Sequence, residues 1–140
     1  MVIERPKPRQ PRPNDAKIVY SGEMFSVYQW PQTLFDGKQT LWEVVKRPDT
    51  VVIIPITADG KIVVIEQEQP GRPRFLSLPG GRVEEDEDVT LASARELKEE
   101  TGYVAQSLDL VRAYQPLIKI DWAVYIFIAR KAVLKYSQSL

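Results

Sequence analysis

The chain has 140 residues, 44% hydrophobic and 27% charged, the size and balance of one globular domain. Nineteen Lys+Arg against nineteen Asp+Glu give a net charge of zero, which excludes a long-range field for nucleic acid or an anionic membrane. With no cysteine and no histidine there is no disulfide, no thiolate nucleophile, no Ser-His-Asp triad and no His- or Cys-held zinc, so any metal must be bound through oxygen, as Mg²⁺, Mn²⁺ and Ca²⁺ are.

Residues 1–15 read as a disordered, extended tail. Pro6, Pro8, Pro11 and Pro13 interleave with Arg5, Lys7, Arg9 and Arg12, and proline at this density blocks helix and sheet ladders. Such an arm either docks a partner or only solubilises the chain. The first 30 residues lack a signal-peptide apolar segment, and no apolar run is long enough to span a bilayer, so a cytoplasmic location is expected.

Residues 16–140 are expected to form the domain. Ile18–Tyr20 and Phe25–Trp30 are short and rich in β-branched and aromatic residues. Asp36-Gly37 marks a turn, and residues 38–47 form the returning strand of an antiparallel hairpin. Val51–Ile56 is a continuous apolar run, predicted to be a strand covered on both faces. Asp59-Gly60 turns the chain into a strand over 62–65. Residues 66–75, with Pro70-Gly71 and Pro73, are expected to be a loop.

A helix is predicted from Val89 to Thr101, capped by Asp88 or Thr90 and closed by Gly102 as a left-handed C′ residue. Leu91, Ala94 and Leu97 are expected on its core face. Two further strands follow, over 108–114 and 122–129. Strands, one helix, then strands imply an α/β or α+β class with a mixed sheet.

The chemistry concentrates in GRVEEDEDVTLASARELKEETGY, residues 81–103. Glu96, Glu99 and Glu100 stand at i, i+3 and i+4, so the helix carries them on one face. Three such acids repel one another and suit a hard divalent cation, although a solvated surface helix shows a charged face too. Arg95, four residues before Glu99, is placed to pair with it. Glu84, Glu85 and Asp86 read as solvated loop acids. Gly80-Gly81 permits close approach of backbone to a metal or phosphate, or is a plain turn after Pro79.

The spacing Gly81, five residues, Glu87, seven residues, then Arg95-Glu96-Leu97-Lys98-Glu99-Glu100-Thr101-Gly102-Tyr103 resembles the Nudix box at every position. Seven such identities arise by chance on the order of 10⁻⁹ times per window. The resemblance implies the Nudix fold, a mixed sheet sandwiched between helices. It implies Mg²⁺, with Mn²⁺ as substitute, on Glu96, Glu99, Glu100 and the backbone carbonyl of Gly80. Arg95 would orient a glutamate, Glu99 would bind metal or activate water, and Glu87 would pair or cap. A nucleotide diphosphate would be the substrate.

Trp42-Glu43-Val44-Val45-Lys46-Arg47 resembles a stretch of the ADP-sugar pyrophosphatases of that superfamily. The resemblance assigns base stacking to Trp42, with Phe25 as the second face, edge recognition to Glu43 and substrate contact to Arg47. Core or interface packing is the other use of two such aromatics. The family resemblance also implies a homodimer through strands within residues 16–47. It leads one to expect arginines where Glu66 and Gln69 stand, which leaves Arg72 or Arg74 as the phosphate contact. It leads one, further, to expect an acidic loop near the end of the domain. Asp121 is the acid that follows Asp109, and a surface position at a strand end is its other reading. Two alternatives to ADP-ribose hydrolysis stay open: release of pyrophosphate from nucleoside triphosphates, and a silent nucleotide-binding module.

Overall fold

The computed structural model describes residues 2–136. In chain order it forms β1 (Lys17–Ser21), β2 (Ser26–Thr33), β3 (Gln39–Lys46), β4 (Thr50–Thr57), β5 (Ile65–Gln67), β6 (Phe75–Ser77), β7 (Gly80–Arg82), α1 (Val89–Thr101), β8 (Tyr103–Val104), β9 (Ser107–Tyr114), β10 (Ile120–Asp121) and β11 (Val124–Leu134). The class is the mixed α+β expected, with α1 as the one α-helix among the described residues. No described helix is long and apolar enough to cross a membrane. The described residues divide into two compact units, one holding residues 2–3, 50–113 and 124–136, the other residues 4–49 and 114–123.

The first unit is built on the buried run Val51–Ile56. Its strand β4 lies between β7 and β11 in a sheet ordered β7-β4-β11-β8, with β9 also on β11. β4 runs parallel to β11 and antiparallel to β7, so the sheet is mixed. No residue of β4 is fully exposed, as a strand covered on both faces requires. Pro55 interrupts neither ladder. The Ile53 N–H donates to Pro79 O on the β7 side, and position 55 faces the same way, beyond the last β7 pair at Val52–Gly80. On that side Pro55 O accepts from the Val63 N–H at 3.0 Å, so the proline keeps its acceptor contact and lacks only the donor. Ile53, Leu97 and Phe127 are fully buried and form the centre of the core.

Three expectations are corrected here. Of residues 62–65, expected as one strand, Ile62 makes a single bridge to Ile56 and Ile65 opens β5. The segment read as a loop holds the short hairpin β5–β6, with Gln67 Nε2 donating to Ser77 Oγ at 2.6 Å across it. The last strand starts at Val124 and runs to Leu134, past a bulge where Lys131 takes φ 51°, because Val133 and Leu134 pair with β8. Alternation alone does not reveal a partner supplied from 30 residues away.

The second unit is a sheet ordered β1-β2-β3-β10. The hairpin β2–β3 turns at Asp36-Gly37, with Gly37 at φ 83° and Asp36 Oδ1 accepting from the Lys38 N–H. Trp30 faces Trp42 across it, ring centroids 6.4 Å apart and edge to face. Trp30 and Val44 are buried.

Residues 2–15, expected as a disordered tail, form no strand or helix, yet the arm is anchored. Arg5 makes a two-pronged contact with Asp49 (2.7 and 2.9 Å) and reaches Asp121 at 2.7 Å. Gln115 Nε2 also donates to Asp121 (3.0 Å) and to Pro6 O (3.3 Å). Asp121, read as a strand-end surface residue or a loop acid, is instead buried on β10. Burial pushes its carboxyl up, but the hydrogen bonds from Arg5 and Gln115 and the charges of Arg5 and Lys46 outweigh this and hold it below the usual range.

Arg5→Met is therefore expected to cost about 1–3 kcal/mol at neutral pH, because it strands a buried carboxylate. A depressed carboxyl stabilises the fold above its unfolded pKa and loses that contribution as pH falls through its folded pKa. The difference between variant and wild type in urea midpoint should shrink below about pH 4.

Candidate active site

The helix that carries the acids is capped at both ends. Asp88 Oδ1 accepts from the N–H groups of Thr90 (2.9 Å) and Leu91 (3.1 Å). Gly102 closes the helix at φ 76°, its N–H donating to Lys98 O. A Cβ at Gly102 would lie 2.0 Å from Tyr136 O, so glycine is required there by space as well as by conformation.

Of the expected core face, Leu97 is buried. Leu91 and Ala94 are exposed, while Ala92, Ser93, Leu97 and Thr101 are buried. Spacing allows two faces of similar apolarity. The small residues Ala92 and Ser93 win because α1 lies close against β4 and β7.

That packing turns Glu96 and Glu100 toward β7. Gly80 N–H donates to Glu100 Oε1 at 3.0 Å. A Cβ on Gly81 would fall 2.5 Å from the Glu96 carboxylate, and one on Gly80 would fall 2.3 Å from Val51 O. Both glycines thus serve the approach of helix and β4 to this strand, where the sequence suggested approach to metal or phosphate. The contact of Gly80 with Glu100 runs through its N–H.

Arg95 holds the group together. Its Nε and Nη2 grip Glu87 at 2.9 and 3.0 Å, Nη1 donates to Glu96 (2.9 Å) and Glu99 (3.3 Å), and Nη2 also donates to Arg82 O (3.0 Å). Glu87 in turn accepts from the Glu84 N–H. The hydrogen bonds from Arg95 and from that N–H hold the Glu87 carboxyl below its usual range. Glu87 is paired with Arg95, while the cap of the helix is Asp88. Glu100 is the opposite case. Burial first, then the charges of Glu96 and Glu99, raise its carboxyl to about 7, against the lowering effect of the Gly80 N–H.

The donor set is all oxygen and too crowded in charge to stay fully ionised unaided, which fits a hard divalent cation. Among the described residues, however, no three acids gather in a ready-made cation site. Arg95 and the Gly80 N–H engage one oxygen each of Glu96, Glu99 and Glu100.

Of the other expected residues, Arg72 lies in the first unit, its guanidinium 3.9 Å from the Phe75 ring centroid. Arg74 pairs with Glu66 and Glu68. Trp42, Glu43, Arg47 and Phe25 belong to the second unit. Trp42 is half-buried with the Lys119 ammonium 4.1 Å from its ring centroid. Glu43 accepts from Gln29 Nε2 at 2.6 Å. Arg47 stacks on Trp122 at 4.4 Å, and Phe25 is exposed. Sequence reasoning missed Lys119, which lies 77 positions from Trp42 in an undistinguished segment.

The Nudix domain model matches residues 46–136, and the chain belongs to the Nudix family of hydrolases. ADP-ribose pyrophosphatase of Bacillus subtilis is 31% identical over 125 residues, 87% of this chain and 68% of that protein. Methanol dehydrogenase activator of Bacillus methanolicus is 33% identical over 92 residues, covering 65% of this chain and 50% of that protein. Phosphatase NudJ of Escherichia coli is 38% identical over 69 residues, 49% of this chain and 44% of its own. The chain thus spans about half or less of the last two. The solved structure of an ADP compounds hydrolase superposes with a TM-score of 0.74 at 22% identity, covering 95% of this chain and 74% of that one, a likeness of fold.

A carboxyl raised in the folded state stabilises it below the unfolded pKa, and that contribution is lost as pH rises through the folded value. In chelator, the melting temperature should therefore fall by a few degrees, roughly 2–5 °C, from pH 5 to pH 8. Glu100→Gln should flatten this dependence. A wild-type profile already flat over that range contradicts the buried, crowded state of Glu100.

Proposed function

We propose that the protein hydrolyses the diphosphate of an ADP-sugar such as ADP-ribose, giving AMP and a sugar phosphate, with Mg²⁺ as cofactor and Mn²⁺ as substitute. The observation that carries the hydrolytic part is the set Glu96, Glu99 and Glu100 on one helix face, bound to the loop before it by Arg95. The name of the Bacillus subtilis relative and the stretch Trp42–Arg47 support the ADP-sugar.

Glu96, Glu99 and Glu100, with the Gly80 carbonyl, would hold the ion. Bound there, Mg²⁺ would neutralise diphosphate charge and lower the pKa of water. The chain's own groups do the rest. Arg95 keeps Glu96 and Glu99 in place. A box glutamate, Glu99 in the first instance, accepts the proton as water oxygen bonds to phosphorus and the anhydride P–O bond breaks. In this reading Trp42 and Phe25 stack on the base, Glu43 reads its edge, and Arg47 and Arg72 contact the substrate.

Purified protein with Mg²⁺ should convert ADP-ribose to AMP and ribose 5-phosphate, and chelation should stop it. Glu100→Gln should lower kcat by about 10²–10³-fold. Turnover confined to nucleoside triphosphates, with pyrophosphate released, would favour a pool-sanitising enzyme instead. Equal rates in wild type and Glu100→Gln would remove the metal role assigned here.

The same reading includes a homodimer through the N-terminal strands. All five residues of β1 are exposed, among them Ile18, Val19 and Tyr20, on an edge strand. An apolar edge of this kind invites pairing. Light scattering should give twice the 16.0 kDa of one chain, and Ile18→Lys with Tyr20→Glu should give a monomer. A monomeric wild type at assay concentration would end this part of the proposal.

A further inference from the structure

We infer that Lys119 guards the face of Trp42 and thereby tunes the affinity for the base of the substrate. The inference rests on the assignment of Trp42 as the base-stacking ring. The Lys119 ammonium stands 4.1 Å from the centroid of that ring. A cation there occupies the electron-rich face that a stacked base would use. Trp30 meets Trp42 edge to face, at 62°, with the ring centroids 6.4 Å apart.

The root of Lys119 is fixed and its tip is not. Its carbonyl accepts from the Val45 N–H at 3.0 Å, and the next residue, Ile120, is in parallel register with Val45. The residue is exposed, and its four-carbon stem lets the ammonium swing without moving the backbone. The polar contact on the ammonium comes from the N-terminal arm: Lys119 Nζ donates to Gln10 Oε1 at a long 3.5 Å. The arm is itself pinned on either side of Gln10. Arg9 Nη1 donates to Pro116 O at 3.3 Å, and the Arg12 guanidinium lies 3.8 Å from the Tyr28 ring centroid. The segment around Lys119 thus fixes its backbone beside the indole, and Gln10 of the arm gives the ammonium one long contact there.

A base that stacks on Trp42 has to displace this ammonium. Side-chain rotation is far faster than turnover, so the cost falls on binding and not on the chemical step. An exposed cation–π contact is worth about two- to fivefold in an equilibrium constant. Guarding therefore weakens base binding by about that factor, and favours ligands whose remaining contacts are strong enough to tolerate it.

The test is calorimetric titration of the full chain with AMP, together with steady-state kinetics on ADP-ribose. Lys119→Met should tighten AMP binding about two- to fivefold and lower KM by the same factor, with the effect absent from kcat. Lys119→Arg, which keeps a cation for the ring, should restore wild-type affinity, and Gln10→Ala should shift affinity in the direction of Lys119→Met by less. Unchanged or weaker AMP binding by Lys119→Met would overturn the inference. Trp42→Ala separates the two levels. If it binds AMP as wild type does, the base-stacking assignment fails and the guard with it. If it binds weakly while Lys119→Met is unaltered, the guard alone fails.

Discussion

One guanidinium uses all five of its N–H donors at the site. Arg95 gives four to carboxylate oxygens, two on Glu87 and one each on Glu96 and Glu99, and the fifth to the backbone carbonyl of Arg82. The planar fork makes this possible, and a lysine ammonium with three donors does not. The arrangement fastens the acidic loop to the helix and spreads one positive charge over three carboxylates. Glu100 lies outside that reach. It is the carboxyl whose pKa is raised, and the one that turns to a backbone N–H on β7. The charge pattern of the face is therefore divided: Glu96 and Glu99 share the arginine with Glu87, and Glu100 is left crowded and half-buried.

The second unit repeats the theme in another form. A network of Arg5, Asp49, Asp121 and Gln115 ties an arm without secondary structure to the end of β10. Here too a buried acid is made tolerable by a guanidinium and an amide. The arm's prolines prevent it from joining a ladder, so side chains hold it where backbone hydrogen bonds do not. Arg5 pairs with Asp49 and Asp121, Arg9 donates to Pro116 O, and Arg12 rests on the Tyr28 ring.

Local signals were readable wherever the information lies within a few residues. The span of α1, its Asp88 cap, its Gly102 stop and the Asp36-Gly37 turn are all written in adjacent positions, because each depends on backbone φ and hydrogen bonds over one turn. Interfaces were less readable. Leu91 and Ala94 fit the helical period as well as Ala92 and Ser93 do, and the choice between them belongs to β4 and β7. The hairpin β5–β6 and the extension of β11 have the same cause, since each is made by a partner strand and not by its own composition.

The sequence by itself determined the family, the absence of cysteine and histidine chemistry, and the acids available for a cation: Glu96, Glu99 and Glu100 at fixed helical spacing. These follow from residue identity and short-range geometry. The tertiary structure decided what each acid touches. It placed Glu100 on the Gly80 N–H, turned Asp121 inward onto Arg5, and set Lys119 on Trp42. Those contacts join residues 20 to 116 positions apart, and pairings at such range are chosen by packing and burial, for which a chain read in one dimension holds no local signal.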